Sequence, residues 1–129
     1  MVVPATMPAA VLESGRNRLE IREVPVPRPG RGEIQVEIQA CGVCGSDVHL
    51  VLHGSLKCRS YPQIPGHEAA GIVTDCGPGT SLRPGQRVVL SAGTSCGACA
   101  ACKAGRENYC PDLGVFGFDR PGSFARYNV

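Results

Sequence analysis

The chain has 129 residues, 43% of them apolar and 19% charged, and its formal net charge is +2. This length suits one domain with a hydrophobic core. The chain has no Trp, few other aromatic residues and no basic run. We therefore exclude an aromatic surface on which the bases of single-stranded nucleic acid stack, and we expect no nucleic-acid partner. It has no apolar stretch of membrane-spanning length and no signal-peptide pattern, so we expect a cytoplasmic location and no membrane partner.

Short strands separated by Gly and Pro turns are predicted for most of the chain. Residues 9–12 form an apolar run, and residues 19–24 and 33–40 alternate between apolar and polar, as half-buried strands do. Ile34, Val36 and Ile38 are expected to face the core. Further strands are predicted at residues 69–76, 86–90 and 123–129. The pattern predicts a mainly β fold, either a barrel or a sandwich.

Two segments depart from this pattern. Residues 46–54 are expected to form a short helical turn that begins with Ser46 or Asp47 as its N-cap. Residues 91–114 are rich in Cys and Gly and show neither a strand nor a helix period, so we predict a lobe of loops there.

Four of the eight cysteines lie within this lobe, at Cys96, Cys99, Cys102 and Cys110. Two-residue gaps allow neighbouring thiolates to converge on one ion, and four protein ligands close the shell of a tetrahedral zinc, which makes the site structural. A four-thiolate iron–sulfur cluster and two disulfides are the alternatives, and the absence of a secretory signal disfavours disulfides.

A second set of candidate ligands lies in CGVCGSDVH at residues 41–49 and GHEAAG at residues 66–71. By spacing alone this signal is weak. Cys44 is also consistent with a buried apolar position, Ser46 and Asp47 with helix caps, and His49 with a plain surface residue.

Taken in order, these two motifs and the four-cysteine loop resemble the zinc-dependent medium-chain dehydrogenases, which include alcohol, sorbitol and threonine dehydrogenases. LEIREVPVP at residues 19–27 and RPGSFA at residues 120–125 are also similar to that family. The resemblance implies that residues 1–129 are the N-terminal part of a catalytic domain with a GroES-like, partly open β-barrel, in which the zinc lobe spans about residues 91–114. It also implies that the closing strands and a further ligand of the catalytic zinc come from later sequence. The chain has no GxGxxG motif, so we expect the coenzyme-binding Rossmann domain to be absent from it.

The same resemblance implies roles for individual residues. Cys44 and His67 correspond to ligands of a catalytic zinc, and Glu68 to an adjacent ligand or near-ligand. Ser46 corresponds to the hydroxyl that binds the substrate alcohol, His49 to the next group of a proton relay, and Asp47 to the carboxylate that orients the zinc-bound imidazole. His53, Cys41, Cys58 and Cys76 match no ligand position, and we expect His53 at the surface and Cys76 in packing.

The resemblance therefore implies two zinc sites in this chain. It also implies an intact enzyme that oxidises a small alcohol or polyol with NAD or NADP and in which this chain alone is incomplete. Two alternatives are a zinc-stabilised binding module without catalysis and a subunit completed in trans by a coenzyme-binding chain. A homo-oligomer is compatible with each of these.

Overall fold

The computed structural model describes residues 3–129 and confirms a mainly β fold. The strands are β1 Thr6–Val11, β2 Glu20–Pro25, β3 Ile34–Gly42, β4 Glu68–Cys76, β5 Arg87–Val89, β6 Gly93–Thr94, β7 Gly114–Val115 and β8 Tyr127–Asn128. The helical segments are α1 Gly45–Val48, a π-helical turn His49–His53, α2 Ala100–Lys103 and a 3₁₀ turn Glu107–Tyr109. None of the helices in the described part of the chain is long and apolar enough to cross a membrane.

The strands form three antiparallel sheets. The largest has the order β5-β4-β3-β8, while β1 pairs with β2 and β6 pairs with β7. The long β3–β4 pair runs from Ile34 opposite Cys76 to Gly42 opposite Glu68. At the Gly42 end of this pair the two predicted ligand motifs, residues 41–49 and 66–71, come together.

Most predicted strands are present with shifted ends. Those predicted at residues 19–24, 33–40, 69–76 and 86–90 correspond to β2, β3, β4 and β5. The first strand begins earlier than predicted, at Thr6, because its exposed residues before the apolar run also pair with β2. The strand predicted at residues 123–129 is reduced to Tyr127–Asn128, which pairs with the middle of β3.

The prediction that Ile34, Val36 and Ile38 face the core is only partly correct. Val36 is 2% exposed, but Ile34 and Ile38 are only half-buried, and the polar Gln35 is also 2% exposed. The register shifts between Gln35 and Val36 and again after Ile38, and such bulges break the period-2 alternation. The buried amide of Gln35 is satisfied, because its Nε2 donates to a backbone carbonyl and its Oε1 accepts from a threonine hydroxyl.

The helical segment begins before the predicted caps. Cys44 has extended backbone angles (φ −88°, ψ 157°) and occupies the N-cap position, so Ser46 and Asp47 lie inside α1. The prediction that one of them is the cap was wrong, because the backbone is extended at Cys44 and becomes helical at Gly45. The following π-helical turn ends at Gly54, whose φ of +63° suits a residue without a side chain.

Apolar packing anchors this segment. Leu50 and Val51 in the π-helical turn are 2% and 8% exposed and pack against Leu12, which follows β1 and is 1% exposed. Tyr61 and Phe118 cover this core cluster. The helical segment that carries Ser46, Asp47 and His49 is therefore fixed against the first hairpin.

The lobe at residues 91–114 contains more regular structure than predicted. Gly93 pairs with Val115 where β6 and β7 meet at its base, and α2 and the 3₁₀ turn lie between them. The expectation of neither strand nor helix was wrong, because two-residue strands and one-turn helices are too short to produce a hydrophobic period.

Candidate metal centres

The four sulfurs of the lobe converge in one group, here called the four-cysteine cluster (Cys96, Cys99, Cys102 and Cys110). The Sγ atom of Cys102 lies 3.4 Å from that of Cys99 and 4.0 Å from that of Cys96, and all four sulfurs lie within 4.8 Å of one another. Zinc–sulfur bonds of about 2.3 Å place tetrahedral ligands about 3.8 Å apart. The cluster therefore fits a single zinc ion, as the spacing predicts.

Backbone amides of the tight turns point at these sulfurs. The N–H of Cys96 donates to the sulfur of Cys110, that of Cys99 to Cys96, and that of Cys102 to Cys99, each at 3.4 Å. The last of these bonds caps α2, which begins directly after Cys99. The local fold thus supplies donors that stabilise thiolates before any ion is bound.

Backbone hydrogen bonds and burial give two of these thiols different pKa values. The backbone N–H groups of Ala98 and Cys99 lower the pKa of Cys96 to about 7. Burial, followed by the hydrogen bond with Cys99, raises the pKa of Cys102 to about 11. A bound cation would favour the thiolate form of both residues.

A second group of donors, the Cys44–His67–Glu68 cluster, lies at the Gly42 end of the β3–β4 pair. Cys44 precedes α1, while His67 and Glu68 stand at the start of β4. One sulfur, one imidazole nitrogen and one carboxylate oxygen lie within 4.8 Å of one another. Three protein donors of these types leave a position open on a tetrahedral zinc, which is the pattern of a catalytic site.

Asp47 connects two of these donors. Its Oδ2 accepts a hydrogen bond from the backbone N–H of Cys44 at 2.9 Å, and its Oδ1 lies 3.8 Å from Nδ1 of His67. Oδ1 and Nδ1 are both buried without a hydrogen-bond partner. A small approach would pair them, keep the proton on Nδ1 and leave Nε2 of His67 free for a metal. The cluster thus fits a metal ion, and Asp47 lies close enough to His67 to orient its imidazole.

The two predicted relay residues occupy different environments. The Ser46 hydroxyl lies 3.4 Å from Nε2 of His67, on the side of the imidazole that would face a metal. His49 is exposed, and its Nδ1 lies 3.2 Å from the Ser55 hydroxyl. Sequence reasoning missed Ser55. The available signal was Gly54, because a glycine commonly ends a helical segment and reverses the chain so that the next residue can contact it.

Comparison with known proteins agrees with this geometry. The family model described as the alcohol dehydrogenase GroES-like domain matches residues 30–129. The chain belongs to this family. The resemblance to zinc-dependent medium-chain dehydrogenases and the partly open GroES-like fold are thereby confirmed.

Relatives of this GroES-like domain include whole enzymes. It is 43% identical to an alcohol dehydrogenase of Moraxella, over 94% of this chain and 36% of that protein. It aligns with the cobalt- and zinc-bound thermostable alcohol dehydrogenase of Pyrobaculum aerophilum at a TM-score of 0.87 and 34% identity, over 95% of this chain and 38% of that one. It aligns with the acetophenone reductase of Geotrichum candidum in complex with NAD at a TM-score of 0.90 and 33% identity, over 99% of this chain and 38% of that one. The chain thus spans about a third of the length of the curated relatives it matches.

The remaining cysteines of this GroES-like domain lie outside both clusters. The half-buried Cys58 donates to the carbonyl of Gly117 at 3.5 Å, and the half-buried Cys76 donates to that of Leu82 at 3.3 Å. Burial raises the pKa of both Cys41 and Cys58. These surroundings favour packing over reactivity, and His53 is exposed as expected.

We expect Asp47→Asn to weaken zinc binding at the Cys44–His67–Glu68 cluster by about 10- to 100-fold, because the variant loses the charge that holds Nδ1 of His67. Competition with a chromogenic chelator measures the affinity. Asp75→Asn, which changes an exposed carboxylate on β4, is the matched control and should leave the affinity unchanged. Equal affinities in Asp47→Asn and the parent chain would refute this role of Asp47.

Proposed function

We propose that residues 1–129 form the N-terminal zinc-binding part of a dehydrogenase that, when intact, oxidises a small alcohol or polyol with NAD or NADP. The observation that carries this proposal is the convergence of Cys44, His67 and Glu68 beside the hydroxyl of Ser46. The coenzyme is bound by a domain outside these residues. In support, the strand pairs β1–β2, β3–β4, β3–β8, β4–β5 and β6–β7 within residues 3–129 are all antiparallel, whereas a dinucleotide-binding fold is built on a mostly parallel sheet.

Two zinc ions are assigned to this domain. Cys96, Cys99, Cys102 and Cys110 hold the first, which has no open position and orders the lobe. Cys44, His67 and Glu68 hold the second, with Asp47 fixing the imidazole. The structure of the Pyrobaculum relative contains both zinc and cobalt, which supports metal binding by this fold.

The chemistry of the second site follows from its residues. A zinc ion bound there supplies a Lewis acid that makes an alcohol hydroxyl more acidic. Ser46 lies 3.4 Å from Nε2 of His67, where its hydroxyl would accept a hydrogen bond from that alcohol and, on receiving the proton, release its own to the next group of the relay. His49, which is exposed and hydrogen-bonded to Ser55, would receive that proton and release it to water. Each of these residues would act on the proton, and the coenzyme of the intact enzyme would supply the nicotinamide that accepts the hydride.

A chimera tests the proposal. This chain would replace the matching N-terminal part of the Moraxella alcohol dehydrogenase, and alcohol-dependent formation of reduced nicotinamide would be followed by absorbance. We expect turnover by the chimera and none by its Cys44→Ser variant. A chimera that binds NAD and two zinc ions but oxidises no alcohol or polyol would instead support the non-catalytic binding module.

A further inference from the structure

Gly42 faces Glu68 directly across the β3–β4 pair. Side chains at opposed positions of an antiparallel pair project from the same face of the sheet. Gly42 leaves its side of this face empty, and the side chain of Glu68 occupies the space. A Cβ atom built on Gly42 would lie 2.6 Å from Oε2 of Glu68 and 3.3 Å from its Cβ.

The space above Gly42 determines where the Glu68 carboxylate lies. Glu68 is exposed and has a long, flexible side chain, so its position on the surface is not set by burial. In the conformation that lies across Gly42, a carboxylate oxygen is within 4.8 Å of the donors of Cys44 and His67. The space left free by the missing side chain of Gly42 is thus the space that the Glu68 side chain occupies when its carboxylate lies near Cys44 and His67.

From this geometry we infer that Gly42 is a positioning residue, which lets the Glu68 carboxylate fold over the strand and join the Cys44–His67–Glu68 cluster. The inference rests on the proposed metal site and names a residue that determines the position of its third donor, the Glu68 carboxylate. Gly42 itself contacts no metal and acts only through Glu68.

A methyl group at position 42 is expected to change the site and not the fold. The φ of Gly42 is outside the left-handed region, so alanine adopts this backbone without strain. The atoms in its way belong to the Glu68 side chain, which can swing aside, with the closest contact at its tip. Gly71 differs, because a Cβ there would collide with the carbonyl oxygen of Glu37 in the neighbouring strand.

Cobalt(II) binding tests the inference without requiring turnover. The 129-residue chain is first freed of metal with a chelator, is then given one equivalent of zinc, which fills the four-cysteine cluster, and is finally titrated with cobalt(II). We expect Gly42→Ala to weaken cobalt binding by about 10-fold and to change its visible absorption bands, because the displaced carboxylate no longer contributes an oxygen. Glu68→Ala should show the same loss.

The double variant decides how Gly42 acts. If Gly42 works through the carboxylate, adding Gly42→Ala to Glu68→Ala produces no further loss. A further loss in the double variant would overturn the inference, because the methyl group would then act through the backbone. Unchanged or tighter binding in Gly42→Ala alone would overturn it as well.

A His67→Ala variant separates this inference from the proposed function. Cobalt binding that is lost in His67→Ala but unchanged in Gly42→Ala overturns the inference and leaves the proposed metal site intact. A parent chain that binds no cobalt after its first zinc overturns both.

Discussion

The Cys102→Ser variant should lose the metal ion of the four-cysteine cluster and with it the order of residues 91–114. Cys102 is the buried centre of the cluster, with sulfurs at 3.4 and 4.0 Å. The lobe has little apolar core of its own, and helical segments of three or four residues do not persist without tertiary support. Structural zinc contributes about 10 to 16 kcal/mol to the folding of zinc-finger peptides, so its loss is the largest effect that we expect.

Elemental analysis and limited proteolysis measure this outcome. The parent chain, purified without added metal, should contain close to two zinc ions, and Cys102→Ser should contain one and be cleaved within the lobe. Cys76→Ser is the matched control, because Cys76 lies outside both clusters and bonds a backbone carbonyl. Retention of both ions by Cys102→Ser, or iron in place of zinc in the parent chain, would contradict the assignment of a structural zinc.

The His67→Ala variant should lose the other ion and keep the lobe intact. Alanine removes the only nitrogen donor of the Cys44–His67–Glu68 cluster and leaves the buried carboxylate of Asp47 facing a cavity. Two donors hold zinc weakly, so the zinc content should fall from two ions to one, and the chimera with the Moraxella enzyme should lose its alcohol oxidation.

His53→Ala supplies the control for this change. His53 is exposed and belongs to neither cluster, so this variant should keep both ions. If His67→Ala and the parent chain contained the same amount of zinc, the second metal site would be ruled out.

Local patterns were sufficient for much of the fold and for one of the two candidate metal sites. The strands β2 to β5 follow from alternation over six to nine residues or from short apolar runs between turns. The four-cysteine cluster follows from spacing. Its cysteines all lie between residues 96 and 110, and a short loop keeps their sulfurs close together in space. The burial of Gln35 did not follow, because a bulge depends on the partner strand.

The Cys44–His67–Glu68 cluster could not be predicted from local patterns. Ser46 and His67 are 21 residues apart, and nothing in either motif taken alone indicates that they meet. Their order along the chain suggested the site only through the resemblance to a family. The antiparallel pairing of β3 and β4 is the physical cause that brings them together.

By itself, the sequence determined the fold class, the four-cysteine lobe and the residue types available as metal ligands, since these depend on neighbours along the chain. Only the tertiary structure decided that Asp47 lies between Cys44 and His67, that His49 meets Ser55, and that Gly42 leaves room for Glu68. These contacts depend on strand register and on packing against Leu12, which are set by interactions between segments far apart in the chain.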